Sequence, residues 1–362
     1  MLIASLLTLS LLPTAMADRP VLIPILPPAG FARLFPQAVS ADGSTVVGIT
    51  ANQNSSVIRA FRWRRSTGVV EILGADQGSL TWAYGVSGDG NIVVGVQSIS
   101  NRLSAVRWDG SGVRSLLTGM RTALCVTPDA SVVGGKSAEG RPALWSGGFV
   151  RNLDSRSSGS VLALTPDGRV AVGEGGFMWD ETNGFRDLFG SRYPYGSALC
   201  ISDDGKIVGG FYDGIPNRSM KAFLYKNGRG ERYLPELPAQ TVETMSGDGF
   251  VVVGGPSIGT TSYIVVGSSG PHSLDAYLRN LRTIGIDEWG GSLAAWDMNP
   301  AGTALTGQGN NRDGVLAGWL VLGNLRGNHV GARTSPAKQA VDPECSRQSS
   351  SSFRQVRTRS VR

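Results

Sequence analysis

Ala38 to Gly48 reads AVSADGSTVVG, and this stretch decides the fold because it keeps returning along the chain. It recurs as GVSGDGNIVVG from Gly85, CVTPDASVVGG from Cys125, ALTPDGRVAVG from Ala163 and CISDDGKIVGG from Cys200. A sixth copy is TMSGDGFVVVGG from Thr244, and a worn seventh is DMNPAGTALTG from Asp297. The anchor positions are Asp42, Asp89, Asp129, Asp167, Asp204, Asp248 and Ala301, spaced by 37 to 53 residues. Self-similarity at such a period marks a repeat architecture whose units bury their apolar faces only against neighbours.

Each copy continues in the same way. After the VVG comes a loop of variable length and then an aromatic strand: AFRW ending at Trp63, AVRW at Trp108, PALW at Trp145 and FMW at Trp179. Later copies end at Tyr225, Val265 and Trp319. A Gly-led apolar strand follows, as in GVVEIL from Gly68 and GVRSLL from Gly112. The Asp-Gly pair is a hairpin signal, because Gly tolerates the positive φ of a tight turn. Four short antiparallel strands per repeat are a propeller blade. The expected fold is all-β, a seven-bladed β-propeller. The seventh repeat stops after Gly318-Trp319-Leu320, and Val21 to Leu26 (VLIPIL) precedes the first, so the amino-terminal strand is expected to complete the last blade and close the ring.

The domain reading is a signal peptide at 1–17, a propeller at 18–325 and a basic, Ser-rich, disordered tail at 326–362. The apolar run Leu2 to Leu12 ends at a small-residue site, Ala15-Met16-Ala17, and is too short to span a bilayer. No later segment reads as a span. The protein is therefore expected to be secreted, periplasmic or on a bacterial cell surface, as a monomer. Of 362 residues 50 are Gly, 41% are hydrophobic and only 17% are charged, which suits a packed β protein. Beyond Leu325 eight basic residues face two acidic ones, which accounts for the whole net charge of +6. The body is neutral, so a nucleic-acid partner is not expected.

The repeat resembles the bacterial extracellular repeat family called HAF. Its unit looks like A-x-x-x-S-x-D-G-x-x-V-V-G, then A-F-x-W, then G-x-x-x-L, and it covers about 300 residues here. LRNLRTIGIDEWGGSLAAWDMNPAGTALTGQGNN resembles the closing repeat of such proteins. The resemblance implies an exported bacterial protein and carries no catalytic residues.

Catalytic chemistry finds few residues. Only His272 and His329 exist, which leaves no partner set for a nucleophilic Ser or Cys and no three-ligand zinc site. Each Asp-Gly turn offers one carboxylate, too few for calcium. No catalytic residue, metal or cofactor is expected. The strand tryptophans are read as packing between blades, and Cys125 and Cys200, at one repeat position, as small buried residues. Ser273 caps a segment with Leu274, Tyr277, Leu278 and Leu281 at helical spacing, expected to pack on the ring or plug one end.

The expected function is a binding or interaction module for an unidentified glycan or protein of the cell envelope. Alternatives are a lyase or hydrolase using face carboxylates, with Glu139, Asp213 and Asp313 as loop candidates, and a structural envelope component. Two carboxylates with a basic residue at the channel mouth would favour the enzyme; a ring of aromatic and amide side chains would favour binding. The second-to-third-strand loops vary most, and variable polar loops on a rigid scaffold carry recognition. The ligand face is therefore expected to hold Gln53, Asn54, Arg102, Tyr212, Asp213, Asn217, Asn311 and Arg312. The pairs Trp82 with Tyr84 and Tyr193 with Tyr195 precede inner strands, where their rings would flank a channel mouth.

Overall fold

The computed structural model describes residues 19–327 except 77, 155–157, 190–195, 215–218, 227–230, 234–239 and 256–260. The segment read as a signal peptide and residues 328–362 lie outside the described residues. So do Tyr193, Tyr195 and Asn217.

The first strand is β1 (Val21–Ile25). Blade one follows as β2 (Arg33–Val39), β3 (Thr45–Ala51), β4 (Ile58–Arg64) and β5 (Val70–Ile72). Blade two is β6 (Leu80–Val86), β7 (Val93–Ile99), β8 (Arg102–Trp108) and β9 (Arg114–Leu116). Blade three is β10 (Met120–Val126), β11 (Val133–Ser137), β12 (Pro142–Ser146) and β13 (Phe149–Asn152). Blade four is β14 (Val161–Leu164), β15 (Val170–Gly173), β16 (Phe177–Asp180) and β17 (Gly184–Asp187). Blade five is β18 (Gly196–Ile201), β19 (Ile207–Gly214), β20 (Ser219–Lys226) and β21 (Glu231–Tyr233). Blade six is β22 (Thr241–Met245), β23 (Val251–Gly255), β24 (Tyr263–Val266) and β25 (His272–Ser273). After helix α1 (Leu274–Asn280) come β26 (Trp289–Met298), β27 (Ala304–Asn311) and β28 (Leu316–Leu322). Each blade is a four-stranded antiparallel sheet, and the seventh is completed by β1, in the order β1-β28-β27-β26. Val21 faces Leu322 and Ile25 faces Gly318 across that seam. The molecule is a seven-bladed β-propeller closed by its amino-terminal strand.

Apolar packing follows the same seven-fold logic. Seven buried clusters lie one at each junction between neighbouring blades. Trp63 packs with Leu34, Ala304 and Leu320 between blades one and seven. Trp108 sits with Ala38, Ala60 and Ala83 between blades one and two, and Trp179 with Leu144 and Val161 between blades three and four. Trp108 and Trp319 are fully buried. Cys200 belongs to the cluster of blades five and six. Cys200 is buried and Cys125 half-buried at the cavity wall; enclosure pushes the Cys125 thiol up to about 12 and raises the Cys200 thiol too, which disfavours the nucleophilic thiolate in both. Helix α1 begins at Ser273, whose Oγ accepts from Ala276 N, and buries Leu274 and Leu278 between blades six and seven. It packs on the ring's flank.

The recurrent turn sequence has a recurrent hydrogen-bond pattern. In blade one the Ser40 hydroxyl donates to Asp42 and accepts from Thr45 N, while Asp42 Oδ1 accepts from Ser44 N. The same set forms at Ser87 with Asp89, Thr127 with Asp129, Thr165 with Asp167, Ser202 with Asp204 and Ser246 with Asp248. These donors hold carboxylates in their charged form; Thr127 and Ser131 keep Asp129 down at about 2. Blade seven has Ala301 at the anchor, and Asn299 replaces the pair: its Oδ1 accepts from Thr303 N at 2.9 Å and Ala304 N at 2.8 Å.

An arc of hydrogen bonds links the turns from blade five through blades six, seven, one and two to blade three, while Pro128 and Pro166 have no N–H to extend it across blade four. Gly88 N donates to Pro128 O at 2.8 Å, Asp203 N to Gly247 O at 2.7 Å and Gly247 N to Pro300 O at 2.8 Å. Pro300 has no N–H to continue the arc, and the Asn299 amide does so by donating to Ala41 O at 2.9 Å. The turn residues are thus committed to holding blades together.

Candidate functional site

Every inner strand carries a register shift at one repeat position. The shift falls between Pro36 and Ala38 in β2, Ala83 and Gly85 in β6, and Ala123 and Cys125 in β10. It falls between Val161 and Ala163, Ala198 and Cys200, Val242 and Thr244, and Ala295 and Asp297 in the remaining blades. A β-bulge leaves one residue unpaired and re-aims its side chain. The bulged residues are Gln37, Tyr84, Leu124, Leu162, Leu199, Glu243 and Trp296, all half-buried and all lining one central cavity.

In six of the blades the second strand makes room for the bulge with the glycine that stands six residues after the turn anchor. A Cβ on Gly95 would lie 1.9 Å from Trp82 O, and one on Gly48, Gly135, Gly173, Gly210 or Gly307 would meet the equivalent carbonyl within 2.2 Å. The motif that marks the repeat therefore also sets which residue faces the channel.

The cavity encloses about 290 Å³. Its rim is formed by Ala41, Gly88, Pro128, Pro166, Asp203, Gly247 and Pro300, each beside a turn anchor, so it opens on the Asp-Gly face. The wall is divided. Blades three, four and five contribute Leu124, Leu162 and Leu199, whereas blades six, seven, one and two contribute Glu243, Trp296, Gln37 and Tyr84. Asp297, next to Trp296, also reaches the wall. Lys, Arg and His do not occur among the lining residues.

Glu243 and Asp297 stand in this wall and Asp203 is exposed at its rim, and the proton affinities of all three are raised. Burial pushes the Asp297 carboxyl up to about 7, against hydrogen bonds from Val39 N, Met298 N and Thr244 that pull it down. Val39 N donates to Asp297 Oδ2 at 2.8 Å, so this carboxyl also ties blade seven to blade one. Glu243 is raised by burial, although the Thr241 hydroxyl donates to it. Asp203 is raised by burial and by the like charges of Asp248 and Asp204. The Trp296 indole N–H is buried and has no hydrogen-bond partner among the described residues.

The state of Asp297 predicts a pH dependence of stability. The folded chain keeps this carboxyl protonated to about pH 7, while the unfolded chain releases its proton near 3.8. The native state binds the extra proton, so stability from this group is greatest below about pH 4, falls through pH 7 and is flat above. Asp297→Asn is expected to remove that slope and to gain on the order of 3 kcal/mol relative to the parent on going from pH 4 to pH 8. Urea titrations at pH 4.5, 6 and 8 measure it; parallel stability profiles for the two proteins would refute the assignment.

The residues expected to contact a ligand are placed as follows. Tyr84 lines the cavity at the bulge of β6. Trp82 lies two residues earlier on that strand, half-buried and outside the cavity lining. Gln53 and Asn54 are exposed in a tight turn in which Asn54 Oδ1 accepts from Ser56. Arg102 is exposed at the start of β8, and Asn311 and Arg312 lie at the β27–β28 turn, where Asn311 Oδ1 accepts from Val315 N. Asp213 is half-buried on β19. Tyr212 requires a correction: it is 1% exposed and packs beside Phe189, with ring centroids 6.1 Å apart. The long polar excursions are mostly paired hairpin, since β3 runs to Ala51, β4 starts at Ile58 and β19 runs to Gly214. That pairing turns Tyr212 inward. Sequence reading missed Gln37, Glu243, Trp296 and Asp297, although the position five residues before the anchor is the one that changes chemistry between copies.

No family model and no curated protein sequence matches the chain. Solved structures do. The β-propeller domain of Cps50 (Swd1) from Myceliophteria thermophila is 10% identical, with 84% of this chain and 99% of that one covered and a TM-score of 0.52. Oligogalacturonate lyase from Vibrio parahaemolyticus is 10% identical over 83% of this chain and 91% of that one, at a TM-score of 0.47. TolB from Acinetobacter baumannii is 14% identical over 70% of this chain and 61% of that one, at 0.39, so this chain spans less than two thirds of TolB. The likeness to the first of these agrees with the propeller fold. Among the described residues no helix is long and apolar enough to cross a membrane, and no group of three His, Cys, Asp or Glu is placed to hold a metal ion.

Proposed function

We propose that this protein is an exported bacterial propeller of the HAF-like kind that binds a small ligand, or a small protruding part of a larger one, in the cavity on its Asp-Gly face. The observation that carries this reading is the divided wall: seven structurally equivalent positions hold leucines on one arc and Glu, Trp, Gln and Tyr on the other. A ring built only for closure has no need of that asymmetry. The volume lies at the small end of the ~300–1,000 Å³ range of small-molecule sites. The aromatic and amide side chains, and the lack of a basic group in the lining, favour binding over catalysis. Raised proton affinities at Glu243 and Asp297 support a second reading, a carboxylate-based lyase or hydrolase.

A panel of envelope glycans and small metabolites, screened by thermal shift and calorimetry against protein recovered from the envelope or medium, tests the proposal. Leu162→Trp, which fills the cavity, should reduce affinity for any hit at least tenfold, and Asn54→Ala with Arg312→Ala should leave it unchanged. The reverse pattern would move the site to the long-loop face. Turnover of a hit that Glu243→Gln abolishes would establish the enzyme reading.

A further inference from the structure

The ligand class can be narrowed from the charge of the wall, and this step rests on the binding reading above. Glu243, Asp203 and Asp297 all line the cavity, and none of the three forms an ion pair among the described residues. On the same face Asp248 pairs with Arg326 at 2.7 Å and Asp204 with Lys206 at 3.1 Å, while Asp42, Asp89 and Asp129 are held by hydroxyl and backbone N–H donors of their own turns. Asp203 is exposed at the rim and Asp297 holds a proton and accepts from Val39 N, so Glu243, half-buried without a counter-ion, is the carboxylate whose desolvation a bound cation relieves. A bare metal ion does not fit the arrangement, because the carboxylates do not converge as a ligand set.

The remaining wall selects the kind of cation. Trp296, on the blade next to that of Glu243, and Tyr84, on blade two, are the aromatic members of the polar arc, and aromatic faces attract alkylated ammonium groups through their quadrupoles. The leucine arc of blades three to five offers an apolar surface across the same cavity. A hydrated inorganic ion has nothing to place there; an aliphatic chain does. We infer that the cavity receives an organic ammonium group, with its cation toward Glu243, Tyr84 and Trp296 and its carbon skeleton against Leu124, Leu162 and Leu199. The same chemistry arises in a free alkylated amine and in a lysine side chain of a partner protein.

The test is a calorimetric and NMR titration of the whole chain at pH 7.5 with choline, n-butylammonium, Nα-acetyl-lysine amide and the neutral choline isostere 3,3-dimethylbutan-1-ol. At least one ammonium probe should bind saturably, and choline or butylammonium should bind at least tenfold more tightly than the isostere. Glu243→Gln should weaken the ammonium probe about tenfold and leave the isostere unaffected, and Tyr84→Leu should weaken it about fivefold. Preference for choline points to a free amine as the source, and preference for the lysine amide to a protein partner; either supports the inference. Equal affinity for cation and isostere, or no saturable binding of any ammonium probe to the folded protein, would overturn it. If Glu243→Gln does not fold, the cation–isostere comparison on the parent chain decides alone. A neutral glycan that binds in the cavity while every ammonium fails would end this inference and leave the binding reading intact.

Discussion

Deleting Val21–Ile25 is expected to unfold the entire ring, with the loss of a single cooperative transition rather than the fraying of one blade. The strand pairs along its full length with β28, and its side chains Leu22 and Ile25 are buried at opposite junctions, one with blade six and seven residues and one with blade one. Burying each such side chain contributes about 1.5–3 kcal/mol, so the pair alone accounts for roughly 3–6 kcal/mol. That is a large part of the ~5–15 kcal/mol by which a folded domain is stable. A second cost comes from exposing the edge of β28. Far-ultraviolet circular dichroism and tryptophan fluorescence should lose their folded signals together. Retained hydrogen-exchange protection in blades two to five of the truncated protein would show that closure is not cooperative.

Gly95→Ala is the second large effect. The added methyl would sit 1.9 Å from Trp82 O and 3.0 Å from the Ala83 Cα, both backbone atoms that cannot swing aside. Relief requires removing the bulge or parting β6 from β7, and either move disturbs the junctions with blades one and three. The expected loss is about 3 kcal/mol or failure to fold, at the upper end of overpacking effects. Gly270→Ala is the control, since nothing lies within 4 Å of its Cβ position and the residue is exposed, and its change should stay within about 0.5 kcal/mol. A Gly95→Ala protein as stable as the parent in urea would refute the link between the VVG glycine and the bulge.

Much of the architecture was legible because it rests on local chemistry repeated seven times. Ser-x-Asp-Gly encodes its own turn, in which the hydroxyl and carboxylate satisfy neighbouring backbone N–H groups without help from other blades. The unmatched strand at each end of the chain announced the seam between β1 and β28. Even the worn seventh copy follows the rule, since Asn299 supplies with one amide what Ser and Asp supply elsewhere. The placement of α1 was legible only in part: its apolar spacing marked a buried face, but the choice between flank and channel belonged to the blades around it.

The candidate site was hidden for a physical reason. Alternation along a strand assigns side chains to faces by parity, and a bulge breaks parity at one residue. Gln37, Glu243 and Trp296 look unremarkable in their separate copies, and the polar positions are 47 residues apart for Gln37 with Tyr84 and 259 for Gln37 with Trp296. Tyr212 misled in the opposite sense, because a polar stretch was read as loop while ladder pairing with Gly196 and Lys221 drew its ring into the core. The sequence by itself determined the number of blades, their turns, the closing strand and the glycines that permit the bulges, since each depends on contacts within a repeat or on one matching edge. Only the tertiary structure decided which seven side chains meet around the axis, that leucines gather on one arc and polar groups on the other, and that Asp297 loses enough water to hold its proton to about pH 7. Those properties arise from the closing of the ring, which brings together residues that no local pattern relates.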